Sequence, residues 1–298
     1  MINQRDIIQV RSDKSQILHS NPMFLFSGGQ TSYTSESAYI VPDHWHEDVE
    51  FLCVQEGQMD YRVNGQSIHL NAGEGIFVNS KRIHSNISKK GEFCVFSYGL
   101  IHPSMFTGSP YIDQQYIKPA FSMNSFDYIL LNEQDWTSEI MEEMNTLNSK
   151  PKTFQELGVT ELAVKTIRLF YENINMTEQG SNFSPVHVDN FQNMMHYISE
   201  HYMEKVSLDD IADAGNVGKT LCAKLFKQFV AKTPGEYLIS YRIAKSIELL
   251  TTTDLSITDI AYNCGFTSAS HYTKTFREAT GSTPLKYRSI APSQSGLG

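Results

Sequence analysis

The last third of the chain contains an internal repeat, and this narrows the possible folds more than composition does. Ile211-Ala212 recurs as Ile260-Ala261, Phe226 as Phe276, Thr233-Pro234 as Thr283-Pro284 and Tyr237 as Tyr287. The offset is 49 at the start and 50 at the end, so the second copy holds one extra residue between its turn and the following helix. Each copy opens on a helix-start signature, Ser207-Leu208-Asp209-Asp210 and Ser256-Ile257-Thr258-Asp259. In such a pattern the Ser accepts from an orphan N–H and the acid three residues on answers back. The short helix then stops at Asn216 in one copy and Gly265 in the other, residues that tolerate the left-handed conformation a tight helix–helix turn needs. Two such units at a fixed period predict two helix-turn-helix motifs.

The second helix of each copy has an apolar side and a polar one. Leu221, Leu225, Phe226 and Phe229 form the expected inner stripe of the first, and Tyr272, Phe276 and Ala279 that of the second. The opposite sides carry Lys219, Thr220, Ala223, Lys224 and Lys227, and Thr267, Ser268, Ser270, His271, Lys274 and Arg277. Small residues let a helix approach a groove, and the others can donate to bases or phosphates. Closeness to the helix start favours Lys219, Thr220, Ser268 and His271 as base readers. Between the copies, Thr233, Pro234 and Glu236 start a helix to about residue 251. Its Leu238, Ile239, Ile243, Ile247 and Leu250 fasten the motifs together. A separation near 34 Å would let both reading helices enter successive major-groove segments. The plain alternative, a helical bundle with an incidentally basic face, leaves the paired caps and turns unexplained.

A net charge of -9 looks wrong for such a role until it is mapped. Of 24 Lys+Arg and 33 Asp+Glu, the residues from 186 onward hold 11 of each, so the whole excess of acid lies before them. Residues 216–233 contain Lys219, Lys224, Lys227 and Lys232 and no acid, and a local basic face is what DNA requires.

These motifs resemble the AraC/XylS family of bacterial transcription regulators over about 190–289. The likeness rests on "SLDDIA", "KLFKQF", "TPGEYLISYRIAKSIELLTTTDLSITDIAYNCGF" and "YTKTFREATGSTPLKYR". It implies a seven-helix domain, promoter binding and activation through RNA polymerase. The first turn departs from the family pattern. Asn216-Val217-Gly218 stands where Gly-hydrophobic-Ser is usual, so Gly218 forfeits a cap on the first reading helix.

Residues 20–102 read differently. Short apolar runs ("VEFLCVQ", "MDYRVN", "QSIHL", "GIFVN", "FCVFSYGL") are separated by Gly and Asn turns, and Asn64-Gly65 is a hairpin signal. An antiparallel barrel or sandwich is expected. From about 134 the period becomes helical, and 154–174 forms a long amphipathic helix that covers the sheet, pairs with a second copy, or both. The resulting division is an arm at 1–19, a barrel at 20–110, a helical dimerisation region at 111–174, a linker at 175–189 and the DNA-binding domain at 190–290.

His44-x-His46-x3-Glu50 followed by Gly57 resembles the first motif of the cupin barrel. The second motif matches in part, with Gly73 and a displaced His84, while Ala72 stands in place of the usual Pro. If one strand runs unbroken, residues 44, 46 and 50 share a face. His44, His46, Glu50 and His84 are a chemically reasonable divalent-metal set. The leading expectation is nevertheless a metal-free pocket, with no resident cofactor, lined by His44, His46, Glu50, Tyr61 and His84, with Phe24 and Trp45 as aromatic walls. A polar aromatic lining suits a sugar or a similar metabolite.

The fold class expected is therefore two-domain: an all-β cupin-like barrel with flanking helices, then an all-α domain with two helix-turn-helix motifs. The function expected is a ligand-responsive activator, a homodimer in the cytoplasm, acting on double-stranded DNA and RNA polymerase and carrying no catalytic residues. The alternatives are a metal-dependent cupin enzyme fused to a DNA-binding domain and a DNA-binding regulator without effector. No membrane span is expected, since no run of 18 apolar residues exists, and "MINQRDIIQV" does not read as a signal peptide. Cys53, Cys94, Cys222 and Cys264 form no CxxC pair and read as buried thiols.

Overall fold

A computed structural model describes residues 23–33, 40–87, 92–106, 108–149, 154–174 and 184–290. The expected arm and most of the expected linker lie outside these residues. Among them are eight strands: β1 (Phe26–Tyr33), β2 (Ile40–His44), β3 (Val49–Val63), β4 (Gln66–Asn71), β5 (Glu74–Val78), β6 (His84–Ile87), β7 (Cys94–Ile101) and β8 (Tyr128–Asn132). One sheet runs β1-β7-β3-β5-β8; β2, β6 and β4 form the other with the far half of β3, and every pairing is antiparallel.

The two runs "VEFLCVQ" and "MDYRVN", expected as separate strands, are one 15-residue strand. An irregularity between Val54 and Glu56 bends β3 and lets it serve both sheets. Its first half is buried on both faces. Val49, Phe51 and Cys53 point to one apolar core, while Leu52 and Val54 point into the barrel with Tyr33, Met59, Tyr61, Ile76, Val78 and Leu100. Such a strand reads as a continuous apolar run rather than an alternation. Asn64 (φ 44°) and Gly65 (φ 79°) close the β3–β4 hairpin with both dihedrals positive, as the Asn-Gly signal predicts.

A 3-10 turn (Pro103–Phe106), α1 (Pro110–Ile112), a π-turn (Asp113–Ile117) and α2 (Lys118–Ala120) follow β7. Then comes β8, a strand inside the segment expected to be helical. It pairs with β5 and extends the barrel sheet. In "YILLN" the outward Leu130 is half exposed, so the apolar/polar alternation that marks a strand is missing. α3 (Ser138–Ser149) and α4 (Gln155–Asn173) lie on the outer face of this sheet. Ile140, Met141, Met144, Leu162, Ala163, Ile167 and Phe170 pack there against Phe51, Phe77 and Leu131. Covering the sheet is thus one job of the long helix.

Seven helices follow among the described residues: α5 (Pro185–His201), α6 (Leu208–Ala214), α7 (Lys219–Val230), α8 (Pro234–Thr252), α9 (Ile257–Asn263), α10 (Ala269–Thr280) and α11 (Pro284–Ile290). Residues 185–189, read as linker, are the first turn of α5; Pro185 starts that helix because the first position needs no N–H. The two motifs have separate cores. Phe191, Met194, Leu225, Phe226 and Phe229 build the first, and Ile260, Cys264, Tyr272 and Phe276 the second. α8 gives Tyr237, Leu238 and Tyr241 to the first core and Ile243 and Leu250 to the second, the fastening expected of it. In α10 the inner stripe is completed by Thr280, while Ala279 is exposed.

Candidate functional site

The reading helices begin where the sequence places them, with unlike starts. Asn216 (φ 51°) and Gly265 (φ 77°) hold corresponding turns. Two residues later in copy one, and three later in copy two, come the N-caps Gly218 and Ser268, which accounts for the change of offset. Gly218 makes no side-chain cap, whereas Ser268 Oγ accepts from the backbone N–H of His271 at 3.2 Å. Ser268 therefore has a helix-capping role beside any contact with a base. At Gly265 a side chain would also meet the Tyr202 carbonyl 2.3 Å away, so copy two is held to glycine by crowding as well as by φ.

Lys219, Thr220, Lys224 and Lys227 are exposed along α7, with Ala223 half-buried among them. Thr267, Ser270, His271, Lys274 and Arg277 lie along or just before α10, on its outward side. Lys219 pairs with Asp209 at 2.7 Å and Lys227 with Glu236 at 3.6 Å, exposed contacts that a phosphate can replace. An open groove of about 830 Å³ beside α10 is lined by Ala269, Ser270, Thr273, Lys274, Arg277 and Glu278.

The barrel residues converge by a different route from the one expected. β2 ends at His44, and the chain turns through 45–48 before β3 begins, so Glu50 lies on another strand and shared parity does not bring it to the histidines. His84 opens β6 and is paired directly with His44 across the ladder. The outcome is a compact cluster. His44, His46, Glu50 and His84 are all buried, and one donor atom from each lies within 4.8 Å of the other three. Tyr61 joins it, donating to Glu50 Oε1 at 3.0 Å. Phe24 and Trp45 do not. Phe24 packs with Phe26 in the sheet–helix core, and Trp45 packs against the first helix-turn-helix core.

Each imidazole is pinned by its Nδ1 to a backbone carbonyl: His44 to Pro42 at 2.9 Å, His46 to Asp48 at 2.9 Å and His84 to Arg82 at 2.8 Å. A carbonyl only accepts, so every Nδ1 carries its hydrogen and every Nε2 is left for other partners. His84 Nε2 is 3.1 Å from Glu50 Oε2, and His46 Nε2 is 3.6 Å from it. Burial by itself would push the Glu50 carboxyl up, but the imidazoles of His46 and His84 outweigh it and hold it well below the usual carboxylate range. Four ligands about 2.1 Å from one ion in tetrahedral array lie about 3.4 Å apart, so these four residues could hold a divalent metal once drawn together. The carbonyl-bound Nδ1–H groups are the orientation metal-ligating histidines take.

Beside the cluster, the barrel meets the first motif through residues sequence reasoning missed. Asp43, 1% exposed, is 2.6 Å from Lys232 Nζ and 3.8 Å from Arg62, and its carbonyl accepts from Tyr237 Oη at 3.1 Å. Arg62 donates to the Val230 carbonyl and Gln192 to the Lys81 carbonyl, while Ile83 is buried within the helical core. Gly65 lies so close to the end of α7 that a side chain there would meet the Gln228 carbonyl at 1.9 Å. Lys232, counted in sequence with the basic face, is committed to the barrel. Nothing local marks the docking role of these positions, because it is exercised through a partner more than a hundred residues away.

The chain matches two family models, described as "Cupin domain" over residues 35–97 and "Helix-turn-helix domain" over 211–290. It is 29% identical over 255 residues to the uncharacterized HTH-type transcriptional regulator YdeC of Bacillus subtilis, covering 84% of this chain and 87% of that one. It is 24% identical to the melibiose operon regulatory protein of Escherichia coli, over 96% of both. It is 23% identical to the HTH-type transcriptional activator RhaS of Enterobacter, over 83% and 87%. Among solved structures, ToxT of Vibrio cholerae shares the fold, with a TM-score of 0.51 and 17% identity over 91% of this chain and 100% of that one.

Proposed function

The chain belongs to the AraC family of DNA-binding transcription regulators with an N-terminal cupin domain, and from that premise we propose that it is an effector-responsive activator whose barrel reports directly to the first helix-turn-helix motif. One observation carries the reading: the segments bearing His44, His46 and His84 also bear Asp43, Trp45 and Ile83, which are held by the helices. A ligand that favours one seating of the motif shifts the DNA-binding equilibrium by its difference in affinity for the two seatings. Lys219, Thr220, Lys224 and Lys227 with Thr267, Ser270, His271, Lys274 and Arg277 meet double-stranded DNA, as a homodimer working with RNA polymerase in the cytoplasm. The dimer reading is supported by α4, where Leu157 (70% exposed) and Val164 (58%) lie seven residues apart on its outer side.

A sugar effector is a second reading, supported by the name of the melibiose operon regulatory relative. It requires the cluster to open, because the four donor atoms leave no room between them for a sugar ring. Mobility shifts of the full-length protein on a duplex selected from a random library, with and without each of a panel of sugars and metal ions, test the proposal. Equal affinity under every condition sinks the effector-responsive reading and leaves a constitutive DNA binder.

A further inference from the structure

α8 passes from one core to the other at a single residue. Leu238 and Tyr241 belong to the first core, Ile243 and Leu250 belong to the second, and Arg242 stands between them. Its Nε donates to the Tyr202 carbonyl and its Nη2 to the Glu204 carbonyl, both at 2.8 Å. These carbonyls lie on the chain leaving α5, and the Tyr202 ring packs on the first core, 5.3 Å from that of Tyr241. The turn of the second motif closes on the same spot. A side chain at Gly265 would stand 2.3 Å from the Tyr202 carbonyl and 3.0 Å from both Nε and Nη2 of Arg242. Asn216, at the corresponding turn of the first motif, is exposed and carries its side chain at a positive φ of 51°. The crowding at Gly265 therefore comes from where the second turn is docked, and not from the turn itself.

We infer that Arg242 is a positioning residue for DNA reading: its forked bond ties the end of α5 to α8 beneath the second turn and so fixes the separation of α7 and α10. The inference rests on the proposal that both helices meet DNA, and it needs no effector. α8 alone is a poor gauge, because long helices curve along their length. The end of α5, the middle of α8 and the Gly265 turn are three points, and three points fix an orientation that a single rod leaves free. A planar guanidinium holds two carbonyls at a set angle, which a lysine ammonium does not. On B-DNA one inserted base pair moves the second segment by about 3.4 Å along the axis and about 34° around it. Two braced motifs therefore measure the distance between their segments as well as reading each one.

Full-length protein with spin labels at Lys224→Cys and Lys274→Cys tests the brace without DNA, since the four native cysteines are buried. Labelled chains are diluted into unlabelled protein, so that only distances within one chain are read. One narrow distance distribution is expected, and Arg242→Met should broaden or split it with circular dichroism unchanged. Arg242→Lys, which keeps the charge and loses the fork, should broaden it too, and serves if the methionine variant does not fold. Unlabelled protein is then titrated with the selected duplex and with versions carrying one or two base pairs inserted between the segments protected by the two motifs. Each insertion should weaken the parent protein by about tenfold or more and Arg242→Met by about threefold or less. A merely structural arginine would lower Tm and weaken every duplex alike. An unchanged distance distribution or an unchanged spacing ratio in a folded variant therefore overturns the inference, as does indifference to spacing in the parent protein. Lys224→Ala or Arg277→Ala without effect on the selected duplex sinks the two-motif reading instead, while the label distances still judge the brace.

Discussion

Cys53, Cys94, Cys222 and Cys264 are buried and free of disulfides. Burial pushes their thiols up, to about 12 for Cys53 and Cys264 and about 11 for Cys94 and Cys222. Since the thiolate is the reactive form, native protein at pH 8 should resist alkylation at all four, and unfolded protein should take four labels; mass spectrometry counts them. Fast native labelling of any one would show that its core is open. The reading helices offer a second prediction at this scale. Because Ser268 caps α10, Ser268→Ala costs about 1 kcal/mol of helix stability whatever it does at a base, which blurs its use as a probe of reading. His271→Ala leaves the cap side chain in place and should relax sequence preference, whereas Arg277→Ala should weaken all duplexes and lower the salt slope by about 1. Mobility shifts across a salt series and mutated duplexes separate the two. Such residues are legible in the sequence because caps, turns and periodicity are local. Asp43, Ile83 and Lys232 are not, because their meaning lies in a tertiary neighbour.

At the scale of elements, the absent cap on α7 makes a clean prediction. Gly218 has extended backbone and open space around it. Gly218→Ser should therefore stabilise the first motif by a few tenths of a kcal/mol, seen as a small rise in Tm. A far larger effect is expected where residues 121–127 join the barrel. Arg82 is fully buried, pairs with Asp127 at 2.9 Å and donates to the carbonyls of Ser80, Ser122, Ser125 and Phe126. Removing its counter-charge in Asp127→Ala should cost about 3–5 kcal/mol, measured by denaturant unfolding. Periodicity marks the helices nearly to the residue, as with α4 and α8. It marks the sheet less well. β8 is hidden because Leu130 is an exposed apolar residue, and β3 looks like two strands because its sequence changes character where it passes from a doubly covered sheet to the barrel's second sheet.

For the whole molecule, the division into a cupin-type barrel and a seven-helix domain stems from the change of period along the chain. The way the halves dock does not, since no pattern in either half announces the other. If α4 pairs two copies, Leu157→Glu with Val164→Glu should turn a dimer into a monomer in sedimentation velocity while leaving circular dichroism unchanged. Dimers that persist would remove this face from consideration. The docking has one more consequence. Ile83 completes the core of the first motif, with Trp45 and Met123 packed against it, so the natural seam does not lie where strands give way to helices. It runs along α8, between a body made of the barrel and the first motif and a smaller one made of the second. A gene that traded its entire helical third for a stranger's would inherit a first motif with an ill-fitting apolar face. One that traded only the residues beyond 252 would keep the barrel contacts of Gln192, Val230, Lys232 and Tyr237. Recombinants that survive in such a lineage should therefore carry their crossovers within the connecting helix rather than at the junction between barrel and helices.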